Sequence, residues 1–202
     1  MGRNDMKIKI DILRWDTGEL IYSYECEENT IKITLERGVN EKIDFFRAEL
    51  NWAELNGAKL NGAKLNWAKL NGAELNGAKL NRAELNWAKL NGAELNRAEL
   101  NWAKLNGAEL NWAELNRAEL NWAELNWAEL DFSSWGLSCN TLNTLLDQRL
   151  IVQLLFHAAK PCENNKIKID ADVRRLFKSK IFIKILQKFH RQDVKEYTGN
   201  LK

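Results

Sequence analysis

Residues 48–72 read AELNW AELNG AKLNG AKLNW AKLNG, and the same five-letter unit continues to residue 132. Seventeen units follow one another without a gap, each Ala, then Glu or Lys, then Leu, then Asn, then a variable residue. Only the last, Ala128-Glu129-Leu130-Asp131-Phe132, departs from the pattern. A repeat this regular decides the fold before local propensity is considered.

A period of five excludes the two simplest regular structures. On an α-helix each residue turns about 100°, so successive leucines would move about 140° around the axis and form no apolar stripe. On an unbroken strand side chains alternate with period 2, and an odd repeat would send successive leucines to opposite faces. Within one unit, however, Ala and Leu are two apart and share a face if the segment is extended. The next Ala comes three residues after the Leu, so the chain has to bend at each Asn-X. Short extended sides joined by corners, closing into coils that stack, satisfy the pattern. Asn suits a corner because its short side chain bonds local backbone and tolerates unusual φ. Asparagines stacked coil on coil would form amide ladders.

The unit resembles that of the pentapeptide repeat proteins, whose pattern is Ala, Asp or Asn, Leu or Phe, then two variable residues. That resemblance implies a mainly β fold: a right-handed quadrilateral β-helix, a solenoid with four units, or 20 residues, per coil. It places Ala48, Ala53 and their successors inside, beside Leu50, Leu55 and theirs. The chain differs from the family in carrying Glu or Lys before each Leu and Asn after nearly every one. Both positions face outward, so the difference alters the surface and leaves the core pattern intact.

The flanks read as caps, giving three segments: residues 1–42, 43–137 and 138–202. Lys7-to-Trp15 and Glu19-to-Glu25 flank Asp16-Thr17-Gly18, a hairpin turn signal. Asn29-Thr30 precedes Ile31-to-Arg37 and Gly38, whose capping residues favour a short helix although Ile31, Ile33 and Leu35 alternate like a strand. Ile43-Asp44-Phe45-Phe46-Arg47 is a degenerate unit before the repeats, and Ser133-to-Leu137, with Trp135 in the inward slot, is another after them. Beyond, Thr144-to-Asp147 opens a helical stretch that ends before Pro161, and Val173, Leu176, Phe177, Ile181, Ile185, Leu186 and Phe189 keep helical spacing. The third segment is therefore expected to be an α-helical cap.

With every twentieth residue stacked, the variable positions form four columns: Trp52, Gly72, Gly92, Trp112, Phe132; Gly57, Gly77, Arg97, Arg117; Gly62, Arg82, Trp102, Trp122; and Trp67, Trp87, Gly107, Trp127. Neighbouring indoles could stack, and Arg82 could lie against Trp102 as a cation–π pair. The expected interaction face comprises Trp67, Trp87, Trp127, Trp102, Trp122, Arg82, Arg97 and Arg117. The charged positions form columns too: Glu54, Glu74, Glu94 and Glu114 are all acidic, with Arg97 and Arg117 expected to offset them, while Lys64, Glu84, Lys104 and Glu124 alternate.

Composition narrows the function. The 202 residues carry 30 basic and 28 acidic side chains, a formal net charge of +2. That total divides into −2 for residues 1–47, −3 for 48–132 and +7 for 133–202. The basic tail could meet nucleic acid, but a solvated helical surface accounts for it. No run of 18 apolar residues is present, so no membrane span is expected, and MGRNDMKIKI has no apolar core of a secretion signal. Three cysteines, Cys26, Cys139 and Cys162, suit no disulfide framework, and a cytoplasmic location is expected. With only His157 and His190 besides, no zinc spacing arises. The Asn-Gly pairs are repeat punctuation and form no phosphate loop. No catalytic, cofactor or metal residue is assigned, and no enzymatic activity is expected.

The function these readings favour is a noncatalytic structural or interaction scaffold with a protein partner, not nucleic acid; the C-terminal helices offer a homodimer contact. The family resemblance implies an alternative, a DNA-mimicking modulator of a type II topoisomerase such as gyrase. Mimicry asks for a long anionic rod. The repeat carries only −3 over roughly 20 Å, where duplex DNA carries about 12 charges at one per 1.7 Å.

Overall fold

The computed structural model describes residues 6–131 and 133–135. The elements in order are β1 (Lys7–Leu13), β2 (Leu20–Glu27), α1 (Ile31–Asn40), β3 (Glu114–Leu115) and β4 (Ser134–Trp135). Between α1 and β4 the chain is a stack of coils. Isolated parallel bridges join each charged residue to the one twenty later, from Asp44 with Lys64 to Glu109 with Glu129. β3 and β4 pair in the same way, Glu114 with Ser134 and Leu115 with Trp135. The core is the repeat's own: all 17 Ala and all 17 Leu from Ala48 to Leu130 are buried, none more than 8% exposed.

Each unit contains five N–H groups, and in the units from Ala68 to Trp112, which have a coil on both sides, all five find acceptors. The Ala N–H closes a turn onto the preceding Leu carbonyl, as Ala88 does on Leu85 at 3.1 Å. The Leu and corner N–H groups donate to the next coil, as Leu85 to Lys104 and Trp87 to Asn106. The charged residue's N–H donates to the previous coil, as Lys104 to Ala83 at 2.9 Å. The Asn N–H is left over, and a side chain takes it: Asn106 N–H donates to Oδ1 of Asn86, which sits one coil earlier, at 3.2 Å. The same bond recurs along every column, from Asn71 on Asn51 to Asp131 on Asn111. The Asn after nearly every Leu thus completes the backbone pairing that a part-buried rung requires.

The corners differ from the sequence expectation in one respect. Asn does not take the unusual φ; the variable residue after it does. Ten Trp and Arg corners from Trp52 to Trp127 hold φ between 59° and 64°, beside six repeat glycines at 63° to 69°. A hydrogen-bonded turn with positive φ only at its third residue is type II. Asn occupies the second turn position with ordinary φ, which frees its amide for the ladder.

The first coil has no earlier coil to bond, and the N-terminal elements supply its partners. β1 and β2 pair antiparallel, and α1 starts at the N-cap Thr30, whose hydroxyl accepts from Ile33 N–H. The strand character of Ile31–Leu35 loses to this cap and to burial of Leu35 and Val39. Arg14 bridges Ala48, Glu49 N–H donates to Leu13 carbonyl, Lys32 Nζ donates to Asn56 carbonyl, and Glu36 accepts from Lys59 N–H. Ile43–Arg47 forms a full side, bonded to Lys64 and Asn66 one coil on, with Phe45 wholly buried and Ile43 half-buried. Gly38 makes room for Phe45: a Cβ there would lie 2.4 Å from the ring. Asn29, buried beneath the hairpin, donates to the Ile8 and Tyr24 carbonyls and accepts from the Thr34 hydroxyl. The expected C-terminal helices, the side chains of Phe132 and Trp135, and Cys139, Cys162, His157 and His190 lie outside the described residues.

Removing one rung of the ladder tests this account. Asn86→Ala leaves the Asn106 N–H without its acceptor and is expected to lower unfolding free energy by about 1–3 kcal/mol in urea melts. Asn86→Asp, which keeps the acceptor oxygen, is expected to lose less.

Candidate functional site

The coil stacking presents four sides and four ridges. Taking the first member as the label, the Gly62 ridge (Gly62, Arg82, Trp102, Trp122) lies between the Lys59 side and the Lys64 side. The Trp67 ridge (Trp67, Trp87, Gly107, Trp127) lies along the other edge of the Lys64 side. Six of the eight expected interaction residues therefore flank one side: Trp67, Trp87, Trp127, Trp102, Trp122 and Arg82. Arg97 and Arg117 stand on the Gly57 ridge, across the Lys59 side from them.

The corner indoles with described contacts meet the equivalent corner of an adjacent coil. Trp67 stacks on Trp87 with centroids 5.5 Å apart and planes 18° apart, and Trp102 stacks on Trp122 at 5.4 Å and 16°. Where glycine follows, the indole covers its backbone: a Cβ on Gly107 would meet Trp87 at 2.5 Å, and one on Gly72 would meet Trp52 at 2.2 Å. The stacks still leave much apolar area in water; Trp102 is 55% exposed and Trp127 66%. Trp52 and Trp112, outside the expected face, are comparably bare at 77% and 65%. Trp52 has no indole beneath it in its column.

Two expected pairings do not form. Arg82 makes no cation–π contact with Trp102, because Trp102 is turned the other way, onto Trp122. Cation–π contacts among the described residues instead gather near the hairpin, as Arg47 on Trp15 and Phe46, and Lys69 on Trp15. Arg97 and Arg117 form no ion pair with the acidic column among the described residues. Asparagine does that work: Asn56, Asn76 and Asn96 donate through Nδ2 to Glu74, Glu94 and Glu114 at 2.6–2.7 Å.

That contact follows a rule absent from the sequence reading. Wherever a Glu stands 18 residues after an Asn, the amide donates to it, as Asn66 to Glu84 and Asn106 to Glu124. Where Lys stands there, the amide turns back to the Asn one coil earlier, as Asn86 does to Asn66. The signal was available: Glu two before Asn, combined with a 20-residue coil, gives 18. Lys and Glu in successive coils add exposed ion pairs, Lys79–Glu99 at 3.5 Å, Lys89–Glu109 at 3.1 Å and Lys104–Glu84 at 3.3 Å. The Asn66 amide, helped by Lys104, holds the Glu84 carboxyl below its ordinary value. Near the turn, the Arg14 guanidinium first and Arg47 second hold Asp16 well below the usual carboxylate range.

Open recesses interrupt this surface, and two of them are formed by described residues alone. One, of about 620 Å³, lies between Thr30–Lys32 and Trp52; the other, of about 560 Å³, runs along the Gly62 ridge. Among the described residues no group of three or more His, Cys, Asp or Glu is placed to hold a metal ion, and no helix is long and apolar enough to cross a membrane.

These features define a β-helical solenoid of five-residue units with a polar, ridge-bearing exterior. The family model for pentapeptide repeats matches residues 58–97 and 93–131, with eight copies. Among solved structures, the chain is similar to alr5209, a pentapeptide repeat protein from Nostoc Pcc 7120. The identity is 31%, covering 58% of this chain and 96% of that one, with a TM-score of 0.50. It is also similar to Rfr23, a pentapeptide repeat protein from the cyanobacterium Cyanothece 51142, at 29% identity over 47% of this chain and 65% of that one, TM-score 0.39. No curated protein matches. The chain belongs to the pentapeptide repeat family, whose fold is a right-handed β-helix and whose members are generally structural or interaction proteins.

The depressed carboxyls make stability depend on acid. Their contribution is whole above the ordinary values, 3.8 for Asp16 and 4.5 for Glu84, and is lost as pH falls through their lower folded values. Melting temperature is therefore expected to fall below about pH 4.5, and Asp16→Asn is expected to flatten the most acidic part of that decline in a calorimetric pH series.

Proposed function

We propose that this protein is a noncatalytic cytoplasmic scaffold whose tryptophan ridges hold another protein. One observation carries the reading. An L-residue in the left-handed region costs about 1–2 kcal/mol, a cost glycine escapes. Six repeat corners use glycine, yet ten others carry Trp or Arg at the same φ. The core gains nothing from these side chains, because they project outward and leave indole area in water. Exposed aromatic and arginine side chains are the groups that anchor protein interfaces.

The proposed contact surface is the Lys64 side with its two bordering ridges, Trp67, Trp87 and Trp127 on one edge, Arg82, Trp102 and Trp122 on the other; Arg97 and Arg117 extend it around the next side. DNA mimicry has less support. The Glu54–Glu114 column is the one uninterrupted acidic row among the four, and three of its carboxylates are tied to asparagine amides.

The test is affinity capture from the source cell with the wild-type chain and with Trp67→Gly/Trp87→Gly. Glycine keeps the corner geometry, so the variant is expected to fold. A protein retained by the wild type and lost from the variant supports the reading; an unchanged set of bound proteins overturns it.

A further inference from the structure

Going beyond that reading, we propose that the surface centred on the Gly62 ridge binds a second copy of this chain, with the two coil stacks running in opposite directions, which leaves the Trp67 ridge as the part of the contact surface open to another protein. Three adjacent columns carry the argument, and one symmetry operation serves all three. A two-fold axis perpendicular to the stack, between its second and third rungs here, brings the first rung opposite the fourth and the second opposite the third. On the Lys64 side, Lys64 then faces Glu124 and Glu84 faces Lys104 of the other copy. On the Lys59 side, Lys59 faces Glu119 and Lys79 faces Glu99. Every charge meets its opposite, as an isologous contact requires.

The ridge between them is complementary in shape. Its first rung is low: a Cβ added to Gly62 would meet nothing within 4 Å. The recess of about 560 Å³ runs from there to the third rung, lined by Asn61, Gly62, Asn81, Arg82, Asn101 and Trp102. Its second half is raised by the stacked Trp102 and Trp122, 55% and 45% exposed. Reversal seats Trp122 of each copy over Gly62 of the other and sets Trp102 against Arg82. Arg82, which has no ion pair or side-chain hydrogen bond among the described residues, thereby gains an indole face.

The other two sides fail the same operation. The Glu54 column sets Glu against Glu, and the Glu49 column sets Glu49 against Glu109 and Lys69 against Lys89. A two-fold along the stack sets the Lys59 side against the Lys64 side instead, where Lys59 meets Lys64 and Glu119 meets Glu124, so only two of the four rungs are complementary. The patch is four rungs of about 4.8 Å, small enough that the expected association is weak, in the micromolar range.

Sedimentation of the full chain from about 5 to 500 µM at low salt is expected to show a reversible dimer that weakens as salt is added. Glu84→Lys alone and Lys104→Glu alone each set like charges together twice, and each is expected to raise the dimer dissociation constant at least about tenfold. An equimolar mixture of the two is expected to recover wild-type association, because the introduced lysine then faces the introduced glutamate. Mixing leaves the ion pair within each chain broken, so recovery reports contact between copies. Lys79→Glu mixed with Glu99→Lys repeats the test on the other flank should either first variant fail to fold. Lys89→Glu, on a side that does not adjoin this ridge, is expected to change nothing. A wild type that stays monomeric throughout, single variants that dimerise normally, a mixture that stays monomeric, or an equal loss in Lys89→Glu would each overturn the proposal.

Discussion

A five-residue side has five N–H donors, and a stack of flat coils offers backbone acceptors for only four of them. The fifth, on the residue after each Leu, meets the side-chain oxygen of the equivalent residue one coil earlier. This requirement ties the repeat together. It fixes Asn at that place, which fixes the type II turn, which in turn forces the following residue into the left-handed region. The small Ala and the branched Leu then fill an interior from which water is excluded, and buried donors without partners would be costly there. The exterior is what remains free to vary, and it varies within narrow limits: Glu or Lys on the sides, Gly, Trp or Arg at the corners.

The sequence made the solenoid legible because its period is incompatible with a helix or a continuous strand, and because Ala and Leu never break register over 85 residues. The hairpin at Asp16–Gly18 and the helix after Thr30 were legible from turn and capping residues, although Ile31, Ile33 and Leu35 carried a competing strand pattern. The identity of the strained residue was not. Asn is the usual tolerant residue, and composition alone could not show that its amide is needed in the ladder, which leaves the burden of positive φ to Trp and Arg.

Side-chain direction was the other thing the pattern could not give. Column membership placed Arg82 next to Trp102, but Trp102 stacks on Trp122 and leaves Arg82 on the far side. Likewise Arg97 and Arg117 stand close to the acidic column in sequence, yet the carboxylates are met by amides whose positions backbone pairing has already set. A short, preplaced donor prevails over a long guanidinium that would lose rotamer freedom to reach the same oxygen.

The joining of β1, α1 and Ile43–Arg47 to the first coil has a consequence for biogenesis. These segments leave the ribosome before any repeat, and they present the carboxylate, ammonium and carbonyl groups that the first coil needs. Each later coil then finds a completed edge waiting, at a loop-closure distance that never grows. Such an order allows the chain to wind up vectorially during synthesis, each turn templating the next like thread taken onto a spool.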